Sequence, residues 1–157
     1  MRDAFGGIVS ITIIVAFLVV VSGYLAFNVT YTKAFRMKNE VISKLTEYNG
    51  HCGDVCKEKI NSYARNIGYN VGKEANPNTQ FEGSPAEVYC SDVGYCWARY
   101  DVEDDQDTIE AGIVKDKNQA YYQVTTKVVI DIPIIHTIMR RTSWFTLRGS
   151  TELIKVK

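Results

Sequence analysis

The sequence predicts an α+β protein: a long N-terminal transmembrane-plus-amphipathic helix, a second short helix, and a small antiparallel β-sheet head. Three observations predict it. Residues 4–32 carry no charged side chain over 29 positions, and a bilayer core of about 30 Å needs only about 20 apolar residues in a helix. Apolar side chains then recur three and four apart, up to residue 48 and again from 54 to 67, which is helical spacing. Residues 121–132 alternate apolar and polar side chains, the period of a strand with one buried face.

The apolar segment comes first. Residues 8–27 are rich in Ile, Val, Leu and Phe, broken only by Ser10, Thr12, Ser22 and Gly23. In lipid a single segment satisfies its own backbone hydrogen bonds only as a helix. A cleaved signal peptide has an apolar run of about 7–15 residues, shorter than this one, although Ser22, Gly23 and Ala26 supply small residues. A buried helix of a soluble protein would need more chain around it than remains. Residues 1–7 form a short leader, residues 8–48 the helix, and residues 49–157 an extracytoplasmic α+β head.

The helix continues past the span. No Gly or Pro occurs from residue 28 to 48, and Val29, Ala34, Phe35, Val41, Ile42, Leu45 and Tyr48 form an apolar stripe. Asn49-Gly50 supplies the stop, since Gly accepts the left-handed conformation that ends helices. At 1.5 Å per residue, a helix over residues 8–48 is about 60 Å long. A second helix follows from residue 54 or 55 to 67, with Asp54 as its cap, Ile60, Tyr63, Ala64 and Ile67 as its stripe, and Gly68 as its end. Its partner is the amphipathic half of the first helix. Residues 69–85, with three Asn, two Gly and two Pro, read as a surface excursion.

Sheet follows. Residues 87–90 and 95–102 are strands around a turn at residues 91–94. Residues 101–107, DVEDDQD, are either a solvated turn or a calcium loop, but lack the twelve-residue loop pattern. Residues 108–114 form a strand, and residues 121–132 the clearest one, ended by Pro133. The last runs over residues 143–156, with Gly149 as a bulge. The final two strands are expected to pair at the centre of the sheet. The connector between them contains IPIIHTIM; its Ile134, Ile135, Ile138 and Met139 are candidate interface residues, because an apolar run of that length needs a cover.

Four cysteines, Cys52, Cys56, Cys90 and Cys96, all follow the span. An even count in a small exported domain reads as two disulfides. Local pairs are favoured, although sequence alone leaves three pairings open. A four-thiolate zinc site usually has two residues between the thiols of each pair; here there are three and five. Free buried thiols in a reducing compartment are the other alternative. Lys33, Arg36, Lys38 and Lys44 flank the span on its C-terminal side, and a positive-inside count would place the head in the cytoplasm. The cysteines place it outside, and the assignment follows them.

Nothing in the chain reads as catalytic. His51 stands beside Cys52, but sequence neighbours rarely meet as a thiolate–imidazole pair. His136 has no evident partner. No phosphate loop, paired-histidine motif or nucleophile elbow occurs, and no enzyme activity, metal or cofactor is expected. Lys and Arg balance Asp and Glu at 18 each, which argues against a nucleic-acid partner. Asn28-Val29-Thr30 matches a glycosylation sequon but lies at the membrane edge. Tyr95, Trp97, Tyr100, Tyr121 and Tyr122 read as sheet packing or as a contact surface for a partner.

A short leader, an apolar helix continuing as an amphipathic one, and a small cysteine-bearing α+β head resemble type IV pilins and pseudopilins. The strand pair VTTKVVIDIPI and SWFTLRGSTELIKV resembles that of tight-adherence (Tad) minor pilins of Gram-positive bacteria. The family's leader is cut after a Gly, here Gly6 or Gly7, and its mature chain carries Glu at position five. This chain has Ile11 or Thr12 there and no Glu before Glu40. The resemblance implies a membrane-anchored structural or assembly subunit of a pilus or secretion-type filament. Its partners would be the membrane and other pilin-like subunits, met through the N-terminal helix. Gly6, Gly7 and Gly23, with Ser10 and Ser22, would permit close helix packing. The alternative is a membrane-anchored extracytoplasmic binding or sensing domain.

Overall fold

The computed structural model describes residues 2–71, 81, 83–102, 119–129 and 143–155. Helix α1 (Arg2–Glu47) is one uninterrupted helix of 46 residues, about 69 Å long at 1.5 Å per residue. It begins within the stretch read as a leader and carries Gly6 and Gly7 inside it. Its end is a left-handed cap. Asn49 has φ 49° and Gly50 φ 79°. The Gly50 N–H donates to the Leu45 carbonyl at 2.8 Å and the Asn49 N–H to the Thr46 carbonyl at 3.1 Å. This paired bonding satisfies carbonyls the helix would otherwise leave open.

Helix α2 (Asp54–Asn66) is capped by Gly53, without a side-chain cap. Asp54 is instead the first helical residue. Its carboxylate there faces the positive end of the helix dipole, so its type suits the position although its role differs from the expected cap. Gly68, at φ 65°, ends α2, and the Tyr69 N–H closes the turn on the Ala64 carbonyl at 2.8 Å.

Strands β1 (Glu87–Cys90), β2 (Tyr95–Asp101), β3 (Gln119–Val129) and β4 (Ser143–Ser150) form an antiparallel meander in that order, and β5 (Ile154–Lys155) pairs with β3 beyond β4. So β3 is central, as expected, whereas β4 lies at an edge. The last strand is not continuous: residues 151–153 interrupt it, and the Thr151 hydroxyl accepts the Tyr122 N–H at 2.9 Å. The register shift falls between Val128 and Val129, not at Gly149. Gly149 has another reason. A Cβ there would lie 3.0 Å from Ile42 Cδ1 and from Lys38 Cδ, so the missing side chain lets α1 lie against β4. The expected strand over residues 108–114 falls outside the described residues, as does most of the acidic run; Asp101 ends β2 and pairs with Arg99 at 2.7 Å.

Both helices cover one face of the sheet. α1 packs on β3 and β4. α2 reaches the β1–β2 hairpin: Lys57 sits over the Tyr89 ring at 4.5 Å, and Asn61 accepts from the Ser91 hydroxyl at 3.0 Å. Ala34, Met37, Val41 and Leu45 from α1, with Cys56, Ile60 and Ala64 from α2, meet Tyr95, Trp97, Tyr122, Val124 and Val128 in one core. Met37 is fully buried although the expected stripe omits it, and Phe35 is 42 % exposed although the stripe includes it.

Tyr69 corrects the reading of residues 69–85 as a surface excursion. It is buried. β2 begins opposite Thr126, so the main chain of Lys127 extends past it. The Tyr69 hydroxyl accepts the Lys127 N–H at 3.1 Å and lies 3.1 Å from the Lys127 carbonyl and 2.9 Å from that of Gly94. A phenol thus satisfies main-chain groups that an unpaired buried strand end would leave costly. Val71 continues this contact, its N–H donating to the Val93 carbonyl at 3.0 Å.

Candidate functional site

On α1 the buried core of the head ends at Ala34. There the Thr126 hydroxyl donates to the Ala34 carbonyl at 3.1 Å, and Lys33 Nζ reaches the Gly68 carbonyl at 3.4 Å. Below that point the contact thins, and residues 7–22 are all exposed. Ile8, Ile11, Phe17, Val20 and Tyr24 are each 64–69 % exposed. Ile13, Ile14 and Val15, three consecutive positions, are 63, 56 and 52 % exposed; at roughly 100° per residue they point to three different sides of the helix. A helix apolar all round belongs in a core or a membrane. None of the most apolar window is buried within the chain, and the helix is long and apolar enough to cross a bilayer.

Its polar residues suit that medium. Thr12 donates to the Ile8 carbonyl at 2.9 Å, Asn28 to Tyr24 at 3.0 Å, Thr30 to Ala26 at 2.9 Å and Thr32 to Asn28 at 2.8 Å. Each donor folds back one turn, so it is satisfied without water. Tyr24, Tyr31 and Phe35 lie near the C-terminal end of the apolar run, before and among Lys33, Arg36 and Lys38. Aromatic and basic residues in that order mark a membrane–water interface.

The small residues do not make one stripe. Gly6, Gly7 and Ser10 fall within an arc of about 100°, while Gly23 lies about 160° around the helix from Gly7. A Cβ on Gly7 would meet nothing within 4 Å. Small residues therefore stand on two sides of the helix, with open space at Gly7.

The four cysteines form two local disulfides, Cys52–Cys56 with Cα atoms 5.1 Å apart and Cys90–Cys96 with Cα atoms 4.2 Å apart. The first clips the α1–α2 turn to the first turn of α2. The second joins directly opposed residues of the β1–β2 hairpin, where Gly94 closes the turn on Ser91 at 3.0 Å. With all four sulfurs so joined, none is a thiolate ligand, and among the described residues no cluster of His, Cys, Asp and Glu could hold a metal. His51 turns to its own turn, with Nδ1 3.4 Å from the Asn49 carbonyl.

The aromatic residues divide between the two sheet faces. Tyr89, Trp97 and Tyr122 pack together under the helices, with ring centres 5.5 and 5.6 Å apart. Tyr100 and Tyr121 stack at 5.0 Å on the other face. The candidate interface residues Ile134, Ile135, Ile138 and Met139, and His136, lie outside the described residues. No protein-family model, curated protein or solved structure matches the chain.

Proposed function

We propose that the chain is a single-pass, membrane-anchored, pilus-like structural or assembly subunit. Its head stands on the extracytoplasmic side and its apolar helix is the surface through which copies assemble. One observation carries this reading: a single helix is predominantly apolar and exposed around its whole circumference over residues 7–22, yet locked into a disulfide-bonded head from Ala34 onward. An anchor for a solitary sensor needs only to span. Small residues on opposite sides of the span favour a bundle.

Cysteine cross-linking in whole cells tests this. Ile13→Cys, Ile14→Cys and Val15→Cys place one thiol on each of three sides, and none touches the head. A membrane-permeable oxidant is expected to give dimers from at least two of the three, and a ladder beyond dimer from the Ile13→Cys/Val15→Cys double variant. Dimers from a single side, or none, contradict assembly and leave a solitary or dimeric binding domain.

A further inference from the structure

We propose that the junction of head and span holds the phosphate headgroup of an anionic phospholipid, in a cleft between α1 and the C-terminal end of α2; this rests on the membrane-anchored reading above. The cleft has a volume of about 470 Å³, within the range of small-molecule sites, about 300–1,000 Å³. On the α1 side Thr32, Lys33 and Arg36 line it, with Asn28 and Val29 one turn nearer the apolar run; on the α2 side Asn66 and Ile67 close it. Among the described residues, no acidic side chain lines it.

Its chemistry is graded in the direction a lipid requires. Val29 and the exposed Leu25 below it offer apolar surface continuous with the span. Above them stand two cations. Arg36 is exposed, and none of the ion pairs among the described residues uses Arg36 or Lys33. Lys33 bridges towards the Gly68 carbonyl, where it offsets the negative end of the α2 dipole and clears the way for an anion. An Arg guanidinium presents a planar fork that matches phosphate oxygens, and the Asn66 carboxamide adds a neutral donor. The position also accounts for basic residues on the exported side of the span: they meet headgroups of the adjacent leaflet rather than set orientation.

The test uses the full chain, purified in a neutral detergent. Soluble short-chain phosphatidylglycerol and phosphatidylcholine are titrated by microscale thermophoresis, with glycerol phosphate as the free anion. Each basic residue near an anionic lipid contributes about fivefold, so phosphatidylglycerol is expected to bind about 30-fold more tightly than phosphatidylcholine. Lys33→Gln/Arg36→Gln should remove that preference, while Lys38→Gln, outside the cleft, should keep it. All three side chains reach solvent, and unchanged melting confirms that the variants fold. Equal affinity for both lipids, or a preference that survives in the double variant, overturns the proposal. Glycerol phosphate binding as tightly as phosphatidylglycerol overturns the lipid assignment in favour of a free phosphate. Carbonate extraction of cell membranes separates the two readings: a chain that stays in the membrane but lacks the preference sinks the lipid site alone, and a chain that is extracted sinks both.

Discussion

Replacing Tyr122 with Ala is expected to destabilise the head by about 4 kcal/mol. Tyr122 is among the largest fully buried side chains and sits on the central strand. Its ring meets Trp97 edge-on at 5.6 Å, and its hydroxyl donates to the Gly50 carbonyl at 3.1 Å, in the cap that ends α1. A Cβ on Gly50 would collide with that hydroxyl, so ring and cap are fitted to each other. Truncation removes the ring, opens a cavity between sheet and helix turn, and leaves the cap carbonyl without its donor. For a head of this size the melting temperature should fall by roughly 15 °C or more. Tyr122→Phe separates the terms: it keeps the ring, and its expected loss is about 1 kcal/mol. A Tyr122→Ala loss no larger than the Phe variant's would show that the ring does not carry the helix–sheet seam.

The same melting curves carry a pH signature. Burial holds the Tyr69, Tyr95 and Tyr122 phenols above their ordinary value. As pH rises past about 10 the unfolded chain releases these protons first. Their contribution is therefore complete below that pH and is lost as pH rises through the folded values. Tyr122→Phe should remove part of that alkaline loss.

The second large effect concerns the span alone. Phe17→Arg/Val20→Arg places two cations near the middle of the apolar run, each costing about 3 kcal/mol in a bilayer. Both native side chains are exposed, at 66 and 69 %, and belong to no part of the head core. The double variant should leave the membrane fraction on carbonate extraction, while the purified, oxidised head melts where the parent does. Retention in the membrane would mean that this segment is not the span; a lower melting temperature would mean that it supports the head after all.

How far the residues themselves announced this architecture depends on the range of the forces involved. The span, the α1 cap at Asn49-Gly50, the end of α2 at Gly68 and the turn between Cys90 and Cys96 are set by neighbouring residues, so local pattern reveals them. Met37 and Phe35 show where local pattern stops. The expected stripe takes Phe35 and omits Met37, but the packing of α1 on the sheet buries Met37 and leaves Phe35 42 % exposed. Gly149 resembles a bulge until α1 is placed over it. Tyr69 stands in a polar stretch, and only the offset between β2 and β3 gives its hydroxyl a role. Asp54 has the residue type of a cap, yet Gly53 takes that position and Asp54 opens the helix. For the candidate site, the apolar segment was legible from its length. The cleft joining Lys33 and Arg36 to Asn66 was not, because it exists only once α2 folds back on α1.

The most direct measurement is the reaction of the head's cysteines with a membrane-impermeant maleimide on intact cells, with and without prior reduction by an impermeant reductant. No labelling is expected before reduction, and labelling of the head's cysteines after it, led by the exposed Cys90, without lysis: an oxidised head outside the membrane. Cysteines that label only after lysis, and then without reduction, would place a reduced head in the cytoplasm and contradict the account at its centre.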